Sequence, residues 1–165
     1  MRRQFVSYLV DEMRKNDKIF VLTGDLGYGL FDDLKKEFPD RFVNVGSCEQ
    51  LMIGMAVGMS YEGWIPICYS ITPFLLYRPF EFIRNYLNHE LANVKLIGGG
   101  RDKDYHNLGF SHQAEDDMEI MKTLKNIKLF KPSELGLDTV VSDDTHGANE
   151  TEEFATVAKI TGPSK

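Results

Sequence analysis

The run Phe42-Val43-Asn44-Val45-Gly46-Ser47-Cys48-Glu49-Gln50-Leu51-Met52-Ile53-Gly54-Met55-Ala56-Val57-Gly58 decides how this chain is read. Phe42 to Val45 is a short apolar stretch of strand character, closed by Gly46. After Glu49, the residues Leu51, Met52, Ile53, Met55, Ala56, Val57 and Met59 leave the helix no polar face. Such a helix is expected to be buried all round. Glu49 stands at its mouth. A carboxylate there is costly unless a partner stabilises it or a reaction uses it. Complementing the helix N-terminus would account for it by position alone. A carboxyl held ready for chemistry is the competing reading, and position does not separate the two.

Working outward, helical and strand-like segments alternate. Phe5, Leu9, Val10 and Met13 form one stripe of a helix over Arg2 to Lys15. Ile19 to Leu22 is a short apolar strand, and Thr23-Gly24-Asp25 turns after it. A short helix over Phe31 to Phe38 is stopped by Pro39. Beyond the central run, Gly63 ends the Glu49 helix and Ile65 to Ser70 reads as a strand. Pro79 suits the first turn of another helix, with Phe82, Ile83, Tyr86 and Leu87 on its apolar side. Val94 to Ile97 is the next strand, running into Gly98-Gly99-Gly100. A polar loop follows from Arg101 to about Gln113, then a helix over Ala114 to Leu124 and a strand over Ile127 to Phe130. Residues 135–153 are polar and acidic and read as a surface loop region, with a last strand over Phe154 to Ile160. The fold class expected is α/β: three layers, α/β/α, around a mostly parallel central sheet, in one domain spanning residues 1–165. Ligands of such sheets bind beyond the carboxyl ends of the strands, where Asp25, Glu49, Thr72 to Tyr77 and the loop before His112 fall.

Composition narrows the classes. With 42% hydrophobic residues the chain is globular, and a net charge of −6 does not suggest a nucleic-acid or anionic-membrane partner. No apolar stretch reaches membrane-spanning length. Cys48 and Cys68 form no metal-like pair and are expected to be free, buried thiols of a cytoplasmic protein. His89, His106, His112 and His146 lack ligand spacing, so no metal site is expected on this chain.

Four further features carry alternatives. Gly54 and Gly58 allow another backbone to approach, whether inside the domain or from another subunit. The three glycines from Gly98 read as a flexible turn rather than a phosphate cradle, since no Gly-Lys-Ser/Thr follows. Ser111-His112-Gln113 either orders a helix start or aims a histidine into a cleft. Phe74-Leu75-Leu76-Tyr77 is either core or the wall of a slot for a flat ring.

In order along the chain stand an acidic turn, Glu49-Gln50 at a helix start, an aromatic slot and a His112-Gln113 loop. That order resembles the pyrimidine-binding domain of transketolase-like, thiamine-diphosphate-dependent enzymes, from about Phe5 to Ser133. Its strongest stretches run from Asp40 to Gly58, from Glu62 to Pro66 and from Ser70 to Arg84. Gly109-Phe110-Ser111-His112-Gln113-Ala114-Glu115-Asp116 is similar to the family's Gly-x-Thr-His-Gln segment, with serine for threonine.

The resemblance implies that Glu49 hydrogen-bonds N1′ of the cofactor's aminopyrimidine, favouring the imino tautomer that activates the thiazolium carbon. It implies that Phe74 and Tyr77 pack on that ring, that His112 lies near the substrate's reacting oxygens, and that Asp25 approaches the cleft. The family's metal motif is Gly-Asp-Gly with a later asparagine, oxygen ligands for Mg²⁺. This chain has Gly24-Asp25-Leu26. It is therefore expected to lack the diphosphate-binding domain, and to end at Lys165 before the family's third domain. The expected arrangement is a split enzyme. A partner subunit holds Mg²⁺ and the diphosphate of a shared thiamine diphosphate, in an α2β2 assembly with contact between copies of this chain. The implied reaction moves a two-carbon ketol unit from a ketose or sugar phosphate to an aldehyde. Two alternatives stand beside it: the β subunit of a deoxyxylulose-phosphate-synthase-like or 2-oxoacid-decarboxylating enzyme, and a non-catalytic α/β binding module.

Overall fold

A computed structural model describes residues 2–100 and 102–130 and the backbone of 155–160. Helix α1 (Arg2–Lys15) leads into β1 (Ile19–Thr23), α2 (Asp32–Glu37) and β2 (Phe42–Asn44). Then come α3 (Glu49–Tyr61), β3 (Ile65–Ile71), α4 (Thr72–Tyr77) and α5 (Phe80–Phe82), the last continuing as a π-helical stretch over Ile83–His89. Strand β4 (Lys95–Gly99), α6 (Asp117–Met121), β5 (Ile127–Phe130) and β6 (Ala155–Ile160) complete the described α-helices and strands. The strands form one sheet in the order β2-β1-β3-β4-β6-β5, with every neighbouring pair parallel. The expected surface loop over 135–153 lies outside the described residues.

Alternation along the strands explains the three layers. Val21, Ile67, Tyr69 and Ile97 point to the face covered by α1 and α2, with Phe5, Leu9, Met13, Phe31 and Leu34. Their neighbours Leu22, Cys68 and Leu96 point to the other face, against Met52, Ile53 and Ala56 of α3 and Leu75, Ile83, Leu87 and Met121. A side chain buried in this way contributes about 1.5–3 kcal/mol. Arg41 secures the end of α1 by donating to the carbonyls of Met13 and Asn16 at 2.9 Å.

Four expectations need correction. Helix α3 is not buried all round: Leu51 is 57% exposed, and Met55, Gly58 and Tyr61 also face outward. One flank covers the sheet, while the apolar outer flank faces away from this chain's own core. Gly98 and Gly99 are strand residues of β4, paired with Ser70 and Ile71 of β3, rather than a turn; glycine is needed at 98 because a Cβ there would lie 2.5 Å from Thr72 Oγ1. Of the three glycines Gly100 alone takes a positive φ, 84°. The helix expected over Ala114 to Leu124 is confined to Asp117–Met121.

The cysteines complete the corrections. Both are free, but only Cys68 is buried; Cys48 is exposed. Burial pushes the Cys68 thiol well above its ordinary value. A thiol-titrating reagent at neutral pH is expected to modify Cys48 in the folded chain and Cys68 only after denaturation. Rapid modification of both under native conditions would contradict the packing of β3.

Candidate functional site

The site lies at the carboxyl ends of β1 and β3. The chain leaves β1 toward β2 on one side and β3 lies on the other, so the carboxyl ends of β1 and β3 form the switch point of the sheet. Gly24 follows β1 and is tied to β3 through its N–H, which donates to the Tyr69 carbonyl at 3.0 Å. Glu49, at the first position of α3, lies at this switch point beside Gly24 and Ser70. It is 1% exposed.

Two donors satisfy the carboxylate. Ser70 Oγ donates to Glu49 Oε1 at 2.9 Å, and Arg78 Nη1 donates to Glu49 Oε2 at 2.7 Å. A hydrogen bond to a charged group is worth about 1.5–3 kcal/mol, and a buried carboxylate stripped of both would be strongly disfavoured. Gly24 is needed for this approach. A Cβ there would lie 2.9 Å from Ser70 Oγ and 3.1 Å from Glu49 Oε1.

The end of β3 runs directly into α4, with Pro73 in its first turn. This junction sets Phe74 and Arg78 one helical turn apart on the same face. The Arg78 guanidinium carbon lies 3.7 Å from the centroid of the Phe74 ring. His112 also packs against Phe74, its ring centroid 4.7 Å away and its plane at 64° to the phenyl. Ser111 Oγ lies 3.1 Å from His112 Nδ1. The loop carrying His112 is built from two 3-10 turns, His106–Leu108 and Phe110–His112. The Ala114 N–H, donating to the Asp102 carbonyl at 2.9 Å, pins its base.

Glu49, Phe74 and His112 are thus brought into one chain of contacts, with Arg78 as the link. Tyr77 sits beside it without joining. Its hydroxyl donates to Asp116 Oδ1 at 2.6 Å, and burial with the Asp116 contact pushes its pKa up. Asp25 stands at the rim with φ 53°, left-handed backbone that aspartate tolerates better than most residues. The Asp25 N–H donates to Asn44 Oδ1 at 3.0 Å, and the Tyr28 hydroxyl donates to the Asp25 carboxylate.

Sequence reasoning missed Ser70 and Arg78 as partners of Glu49. Both had a signal. Ser70 is a polar residue inside the apolar run Ile67 to Ile71. Arg78 is a lone cation four residues beyond Phe74 on a helix otherwise free of charge.

With this geometry in hand, known proteins place the chain. The family described as transketolase, pyrimidine binding domain, matches residues 1–135. The chain belongs to that family: it is a transketolase-type pyrimidine-binding domain. It is similar to a putative transketolase C-terminal section of Methanocaldococcus jannaschii, at 34% identity over 135 residues, 81% of this chain and 43% of that protein. It is also similar to one of the subunits of an apulose-4-phosphate transketolase of Actinobacillus succinogenes, at 38% identity over 98 residues, 59% of this chain and 32% of that protein. A solved structure described as a split gene transketolase, inactive beta4 tetramer, superposes with a TM-score of 0.78 at 30% identity. That match covers 97% of this chain and 50% of the other. The chain therefore spans half or less of the length of these relatives.

Proposed function

We propose that this chain is the pyrimidine-binding subunit of a split, thiamine-diphosphate-dependent transketolase. The observation that carries this reading is the Glu49 carboxylate, buried at the switch point and hydrogen-bonded at 2.7 Å to a flat, nitrogen-bearing group lying on Phe74. A site that takes a planar N–H donor against both a phenyl face and a carboxylate fits an aminopyrimidine ring.

Thiamine diphosphate, when bound, supplies the carbon nucleophile and the electron sink for ketol transfer. The chain's own residues do the rest. Glu49 hydrogen-bonds the pyrimidine N1′ and holds the proton there. Ser70 orients Glu49 through Oε1. Phe74 offers the ring a face, and Tyr77, anchored to Asp116, backs that wall. In this reading His112, packed on Phe74, holds a reacting oxygen of the sugar, and Asp25 borders the entrance. Metal and diphosphate are assigned to a partner subunit, since Gly24-Asp25-Leu26 lacks the second glycine of the family's metal segment.

The assembly proposed is α2β2, with contact between copies of this chain. The exposed Leu51 and Met55 on α3 support a surface that is covered by other chains. The relatives, one a C-terminal section and one a single subunit of its enzyme, support a divided enzyme. Two free thiols fit a reducing, cytoplasmic compartment.

Co-expression with a diphosphate-binding chain tests the reading. Ketol transfer from a ketose phosphate to an aldehyde is expected from the pair, and from neither chain alone. Release of CO₂ from pyruvate without ketol transfer would replace it with the 2-oxoacid reading. A pair equally active with Glu49→Ala would make this chain a binding module.

A further inference from the structure

Arg78 makes two contacts that the proposed cofactor ring also needs. Its Nη1 donates to Glu49 Oε2 at 2.7 Å, and its guanidinium lies 3.7 Å from the centre of the Phe74 ring. The guanidinium is planar and delocalised and presents N–H donors in its own plane. In shape and hydrogen bonding it imitates an aminopyrimidine held by the same carboxylate. Two planar groups cannot occupy one face of Phe74 at stacking distance. His112 also packs on Phe74, with 4.7 Å between ring centroids, so two side chains already crowd that phenyl.

We propose that Arg78 is a displaceable plug in the pyrimidine site. It rests on the thiamine diphosphate reading above and adds a competition to it: the aminopyrimidine enters only as Arg78 swings off Phe74 and Glu49. The two ends of the ion pair differ in the way this requires. The Glu49 side chain is 0% exposed and fixed at the start of α3, while the Arg78 side chain is 44% exposed at the end of α4. Arg78 therefore has water to move into, and Glu49 does not. Glu49 is paired at both ends of the exchange, and Ser70 stays on Oε1 in between. Arg78 compensates the buried carboxylate, and the ring nitrogen then takes over the same oxygen. A carboxylate with no partner at that depth would be strongly disfavoured, so a plug that is also a counter-ion protects the site until the cofactor arrives.

The experiment is cofactor binding by this chain assembled with its diphosphate-binding partner, using thiamine diphosphate with Mg²⁺ as the probe. An apparent dissociation constant equals the intrinsic one divided by the open fraction. If Arg78 covers the site nine-tenths of the time, Arg78→Met is expected to tighten binding about tenfold. The gain should appear in the association rate, with dissociation unchanged, which a merely structural role for Arg78 would not produce. Arg78→Lys keeps the charge but not the plane, and should fall between wild type and Arg78→Met. Should the unpaired carboxylate unfold Arg78→Met, Arg78→Lys carries the test, since it keeps a counter-ion for Glu49 but cannot lie flat on Phe74; binding no tighter than wild type would then overturn the plug.

A folded Arg78→Met assembly that binds the cofactor as weakly as wild type, or more weakly, overturns the plug while the wild-type binding upholds the proposed function. A wild-type assembly that binds no thiamine diphosphate overturns both.

Discussion

Glu49→Gln in the reconstituted two-chain enzyme is expected to lower ketol transfer about 10³-fold, within the range set by loss of a positioned acid–base group. The substitution is nearly isosteric. The amide oxygen of Gln can still accept from Ser70 Oγ, which lies 2.9 Å from Oε1 in the native chain. Arg78 loses a charged partner, but its side chain is 44% exposed and water can solvate it. The fold should therefore survive, with a melting temperature close to that of the wild type. What disappears is a group able to hold and release a proton at the pyrimidine nitrogen. The assay is initial rate with saturating ketose phosphate and aldehyde, alongside thermal unfolding of the variant. Retention of more than a tenth of the wild-type rate would count against Glu49 as the proton-handling group.

The largest expected effect on stability comes from Gly98→Ala, at about 2–3 kcal/mol of destabilisation, near the upper end for overpacking. The added Cβ would meet Thr72 Oγ1 at 2.5 Å, Cβ at 3.1 Å and Cγ2 at 3.2 Å. None of these atoms yields cheaply. Thr72 is 0% exposed, opens α4, and donates through Oγ1 to the Gly100 carbonyl at 2.6 Å. Any retreat of Thr72 carries α4 with it, and α4 with the residue after it holds Phe74 and Arg78. Loss of stability should thus come with weakened cofactor binding. Thr72→Ala in the same chain removes two of the three close atoms, so the double variant should be less destabilised than the sum of the singles. Urea denaturation of the four chains measures this directly. Wild-type stability in Gly98→Ala would show that β4 and α4 do not pack as described.

Much of the architecture is legible in the chain because parallel sheets write themselves in short apolar runs. Ile19 to Leu22, Phe42 to Val45 and Ile127 to Phe130 each announce a strand within a residue of where it lies. The site is legible at Glu49, because a carboxylate opening an apolar helix needs an explanation. It is less legible at Gly98, where close approach of Thr72 and not a turn requires the missing side chain. Nothing local distinguishes those two uses of glycine. The full burial expected of α3 fails for a related reason. Its sequence is apolar on every face, and periodicity does not say whether the outer face, with Leu51 and Met55, is covered by this chain or by another. Arg78 stands out as a lone cation after an uncharged helix, but its partner is not legible there, because Glu49 lies 29 residues earlier. Only the fold brings the end of α4 to the start of α3.

Glu49, acting at the pyrimidine of a cofactor shared with another chain, is the centre of the proposed chemistry. The most direct measurement is the rate of hydrogen–deuterium exchange at the thiazolium carbon of thiamine diphosphate bound to the reconstituted enzyme, followed by quenched NMR. The wild-type assembly is expected to exchange that proton far faster than the free cofactor, and Glu49→Gln to fall back by about 10³-fold. Equal exchange in wild type and Glu49→Gln, with cofactor bound in both, would contradict that role for Glu49.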